Sequence, residues 1–85
     1  MDSQINLDVD ELVDLLLSIR REIPVDSRSE DIRRLIDRID TEISKDIPNE
    51  GHVKKSLEKI RDGLISGVAG YVSKEILNRL GEILN

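Results

Sequence analysis

The sequence predicts an all-α fold: a small three-helix bundle, with four helices as the alternative, built on an antiparallel hairpin of its first two helices. Ile, Leu and Val recur at alternating spacings of four and three between charged residues, which is the signature of helix faces turned to a core. Prolines stand at positions 24 and 48, where they divide the periodic stretches and stop each preceding helix. With no Phe or Trp and one Tyr, the core has to be filled by interdigitated aliphatic side chains. Eighty-five residues make a single domain with one modest core.

The first helix is expected over residues 8–23. Asp8 is its cap, and Glu11 three residues later completes a capping box. Ile5, Val9, Leu12, Leu16, Ile19 and Ile23 form the stripe, and Val13, Leu15 and Leu17 widen it. A helix apolar this far round needs cover on more than one side, as the central helix or as one that meets a partner.

The second helix is expected over 29–46. Ser27 with Glu30 reads as a capping box, and Ser29 is the alternative cap. Ile32, Leu35, Ile36, Ile39 and Ile43 trace one face, and Glu30 pairs in register with Arg34. Ile47, just before Pro48, is left to cover the edge of the core. The short connection makes the first two helices an antiparallel hairpin.

The third segment spans 50–84. Asn49 is its cap, and Val53, Leu57, Ile60 and Leu64 repeat the spacing. Val68, Val72, Ile76, Leu80 and Ile83 continue it across the glycines. That continuity favours one long or gently kinked helix. Each glycine costs about 1 kcal/mol relative to alanine inside a helix, so a break near 66–73 is the alternative, with Ser73 capping a fourth helix over 74–84.

Gly63, Gly67 and Gly70 lie in the uncharged run 63–72 and share one helical face. Small residues let another backbone approach closely. The face either receives the first helix of the same molecule or seats a second protomer or partner helix, with a hinge as a third reading. Together with Val13, Leu17 and Tyr71 these glycines form the candidate interaction face.

Chemistry finds little footing. Cysteine is absent, so neither disulfides nor thiolate metal sites arise. His52 is the only histidine and reads as a surface residue in a first turn, with no base, nucleophile or orienting partner at a catalytic spacing. Asp8, Asp10, Glu11 and Asp14 lack the glycine and distant glutamate of a calcium loop. The expectation is therefore no catalytic, cofactor-binding or metal-ligating residue.

A net charge of −5 weighs against nucleic acid as a partner. Arg28, Arg33, Arg34 and Arg38 are interleaved with carboxylates, and no Phe or Trp and a lone Tyr leave no aromatic platform on which bases could stack. A basic run, His52, Lys54, Lys55, Lys59 and Arg61, is opposed by Glu58. It reads as a solvated face, or else as a contact for an acidic partner or lipid headgroups. The run 63–72 is about 15 Å long as a helix, too short for a bilayer core of about 30 Å. The expected location is cytoplasmic.

The stretch Val53-Lys54-Lys55-Ser56-Leu57-Glu58-Lys59-Ile60-Arg61-Asp62-Gly63-Leu64-Ile65-Ser66-Gly67-Val68-Ala69-Gly70 resembles a helical segment of AbiTii-like and related bacterial defence proteins. There, a Leu-x-x-Ile/Leu-Arg stretch leads into Gly-Val-Ala-Gly and a final amphipathic helix. The resemblance covers residues 53–84 and carries no catalytic residue. It implies an accessory or interaction module of a bacterial defence system. The functional expectation is a non-enzymatic adaptor or oligomerisation module that binds itself or a helical protein partner. The alternative is a protein that lays the amphipathic 63–84 segment on a membrane surface.

Overall fold

The computed structural model describes residues 8–23, 25–66 and 72–84. Its helices are α1 (Val9–Glu22), α2 (Glu30–Ile43), α3 (Glu50–Ser66) and α4 (Lys74–Leu84), with a 3-10 turn at Ser27–Ser29. No strand occurs among the described residues. The fold is all-α, and the described residues form a bundle of four helices.

Local chemistry sets the helix ends. The Asp8 carboxylate accepts the Glu11 N–H at 3.2 Å, which opens α1. Ile23, the residue before Pro24, leaves the helix in extended geometry, φ −81° and ψ 146°. Asn49 caps α3 by accepting the His52 N–H at 3.1 Å. Ser73 caps α4 by accepting the Ile76 N–H at 3.4 Å.

At α2 the expected capping box does not form. Ser29 holds the cap position, but its buried hydroxyl turns back and donates to the Asp26 carbonyl at 3.1 Å. The turn Ser27–Ser29 places this hydroxyl under the loop rather than over the first turn of α2. At the other end α2 stops at Ile43 instead of 46. The Ser44 hydroxyl donates to the Asp40 carbonyl at 2.7 Å, and Lys45 N–H bonds Glu42 at the tighter three-residue spacing. Ile47 consequently points away from the core and is 87% exposed, contrary to its expected role at the core edge. Arg34 stands 4.0 Å from Asp31, a neighbour one turn back, in place of the expected Glu30.

Three pairs of cross-helix contacts give the topology. Arg20 on α1 meets Asp37 and Asp40 on α2, while Arg33 donates to the Ile23 carbonyl at 3.3 Å, so α1 and α2 run antiparallel. Glu42 reaches Asn49 at one end of the α2–α3 pair, and Ile32 faces Gly63 at the other, so these helices also run antiparallel. Glu22 meets Ser73, and Asp14 meets Arg79, which sets α4 antiparallel to α1. The four helices close an up-down-up-down ring. One helix over 50–84 is excluded, because α4 lies back alongside both α3 and α1.

Among the described residues the core consists of fifteen buried side chains, all Leu, Ile or Val. α1 supplies Leu12, Leu15, Leu16, Ile19 and the adjoining Ile23; α2 supplies Ile32, Ile36 and Ile39. α3 gives Val53, Leu57, Ile60 and Leu64, and α4 gives Ile76, Leu80 and Ile83. Burial of each such side chain contributes about 1.5–3 kcal/mol before chain entropy is set against it. α1 is not the central helix. It packs beside α2 and α4, and among the described residues it makes no close backbone approach to α3.

Candidate functional site

The sequence of α1 holds two apolar rows. Leu12, Leu15, Leu16 and Ile19 face the core with at most 2% exposure. Val9, Val13 and Leu17 stand at i, i+4 and i+8, one above another on the helix surface. They are 38%, 38% and 49% exposed. Val9 was expected in the core row; it is 38% exposed, and Leu15, expected only to widen the stripe, is fully buried in its place. The ridge Val9–Val13–Leu17 is left as an apolar strip on the outside.

Charged side chains hold α1 in this orientation. Arg20 bridges Asp37 and Asp40 on α2, with the Asp40 contact at 3.1 Å. The hydrogen bond to Asp37, opposed by partial burial and helped by Asp40, raises the Arg20 pKa above its already high ordinary value. On the other flank Arg79 of α4 meets Asp14 at 3.0 Å. Asp10, beside Val13 and Leu17 on the helix surface, forms no ion pair among the described residues.

Of the expected interaction face, Val13 and Leu17 are exposed. Gly67, Gly70 and Tyr71 lie outside the described residues. Gly63 is spent within the molecule. A β-carbon at Gly63 would stand 2.6 Å from Ile32 Cδ1, so this glycine admits the α2 side chain rather than α1 or a partner. The amphipathic side of α4 is likewise turned inward through Ile76, Leu80 and Ile83, leaving that row no apolar area for a headgroup layer.

A groove of about 500 Å³ opens between α2 and α3. Ile39 and Val53 form its floor, and half-buried Ser56 makes the depression. Arg38, Lys55 and Lys59 stand on its rim; all three are exposed, and none forms an ion pair among the described residues. The two carboxylates of the groove are already engaged. Asp37 binds Arg20, and Glu42 accepts the Asn49 N–H at 2.9 Å and Lys45 Nζ at 3.2 Å. The Asn49 hydrogen bond foremost, then Lys45, holds the Glu42 carboxyl below its ordinary range, against partial desolvation. His52 Nδ1 lies 3.7 Å from the same carboxylate.

The basic run of the sequence was legible, but the groove was not. Its signal is a short serine at position 56 between His52 and Lys59, facing the i+4 row of α2. Among the described residues no three carboxylate, imidazole or thiol groups converge as a metal site would require. No helix among them is long and apolar enough to cross a membrane.

No family model matches this chain. No curated protein and no solved structure matches it either.

Proposed function

We propose that this chain is a non-enzymatic helical interaction module that self-associates or docks on a helical partner through the outer face of α1. The observation that carries this reading is the exposed ridge of Val9, Val13 and Leu17 on a helix whose other apolar row already fills the core. A folded bundle has no internal need for these three side chains. Covering them with another protein surface removes apolar area from water at about 25 cal/mol per Å². Asp10, beside the ridge and without an ion pair among the described residues, favours a partner with basic groups on its rim.

The resemblance of residues 53–84 to the defence-protein segment supports an accessory role in a bacterial defence system. The test is light scattering over a wide concentration range. The wild type is expected to rise above its monomer mass of 9.7 kDa. The double variant Val13→Asp/Leu17→Asp is expected to remain at the monomer mass with an unchanged helical circular dichroism spectrum. Equal masses for both proteins at every concentration would contradict self-association through α1.

A further inference from the structure

The geometry points to a head-to-tail contact in which the α1 ridge of one copy seats in the α2–α3 groove of the next. This inference rests on the interaction reading above and adds the second half of the interface. The ridge presents three aliphatic side chains beside Asp10, unpaired among the described residues, in a helix that before Arg20 carries three carboxylates, Asp10, Glu11 and the Arg79-bound Asp14, and no basic group. The groove presents the opposite charge: Arg38, Lys55 and Lys59 stand exposed on its rim, above Ile39 and Val53, which are themselves buried in the core. Both carboxylates of the groove are tied to cations of their own chain, so the rim meets an incoming helix as a net positive surface. In a chain of net charge −5, this groove is a local basic exception, and the first half of α1 is the acidic surface that complements it.

A chain cannot seat its own ridge in its own groove. Among the described residues α1 makes no close approach to α3, and it is anchored to α2 through Arg20. The contact is therefore between copies and joins two different patches. Such heterologous contacts extend into open chains, or close into rings when the rotation allows.

Complementation between two variants tests this. Val13→Asp/Leu17→Asp removes the ridge and keeps the groove; Lys55→Glu/Lys59→Glu removes the groove's charge and keeps the ridge. Each variant alone is expected to be monomeric by sedimentation equilibrium. Mixed in equal amounts, they are expected to form a one-to-one dimer and no larger species, since each pair has one intact interface. Wild-type association is expected to weaken at least tenfold as salt is raised, because the rim charges are screened. The milder Leu17→Asn and Lys59→Gln variants repeat the test, with helical spectra recorded for every protein.

A mixture that stays monomeric while the wild type assembles would overturn the inference. Groove variants that assemble as the wild type does would overturn it while leaving an α1-mediated contact standing. A wild type that is monomeric throughout would overturn both the inference and self-association.

Discussion

The Glu22 carboxylate, at the end of α1, accepts the backbone N–H of Ser73 at 2.8 Å and its hydroxyl at 3.3 Å. The same hydroxyl oxygen accepts the Ile76 N–H and so opens α4. One carboxylate thus fixes where the last helix begins and which helix it lies beside. Glu42 does the equivalent for α3 by taking the N–H of its cap residue, Asn49. In both cases an acceptor from another helix satisfies a donor that an ordinary capping box would satisfy from within.

Ser73→Ala is expected to destabilise the fold by about 1 kcal/mol, the usual cost of a lost helix cap. Glu22→Gln retains an acceptor and should cost less than Glu22→Ala. In a urea-unfolding double-mutant cycle, Glu22→Ala and Ser73→Ala should be non-additive by the share of the hydroxyl bond, which both remove, while Ser73→Ala keeps the backbone N–H bond to Glu22. Strict additivity would show that the hydroxyl bond contributes nothing, and a Glu22→Ala variant as stable as the wild type would show that the carboxylate does not anchor α4.

Two glycines are expected to respond with opposite sign. No atom lies within 4 Å of a β-carbon placed at Gly81 on α4. Gly81→Ala should therefore stabilise by about 0.5–1 kcal/mol through helix propensity alone. At Gly63 the Ile32 side chain occupies the space, so Gly63→Leu should destabilise by about 1–3 kcal/mol through overpacking. Thermal unfolding of the two variants checks both signs.

Glu42 gives stability a specific acid limit. Its folded pKa lies below the ordinary 4.5. A depressed carboxyl contributes stability above its unfolded pKa and loses it as pH falls through the folded value. Stability of the wild type should therefore decline below about pH 4.5, and Glu42→Gln should flatten that decline. Urea titrations at several acidic pH values, compared with those at neutral pH, measure the difference.

Arg20→Ala is expected to loosen α1 from α2. Such exposed or half-exposed pairs are worth up to about 1 kcal/mol each. Removing this guanidinium also leaves Asp37 and Asp40 as like charges one turn apart on α2. The loss should shrink at high salt. Hydrogen exchange should rise first in α1, and uniform protection across all four helices would contradict the assignment.

The core was largely legible in the sequence because its signal is periodic. Leu12, Leu16, Ile19, Ile32, Ile36, Ile39 and the whole row Val53–Leu57–Ile60–Leu64 fall where the spacing placed them. Helix number was less legible. Apolar phase continues through 63–72 whether the chain runs on or turns back, since a returning helix must also face the core. Only the helix cost of the glycines and the Ser73 cap pointed to the break. Val9 was misassigned because spacing cannot distinguish a core row from a parallel outer row on the same helix. Gly63 does permit a close approach, as its size implied, but the neighbour is Ile32, and no local pattern could name it. The groove depends on two helices meeting, which the sequence of neither one encodes alone.

The most direct test of the α1 face is methyl NMR of the wild type over a dilution series. The methyl signals of Val9, Val13 and Leu17 are expected to move with concentration while those of buried Leu57 and Leu80 stay fixed. Concentration-independent positions for all three ridge residues, up to the solubility limit, would contradict self-association through that face.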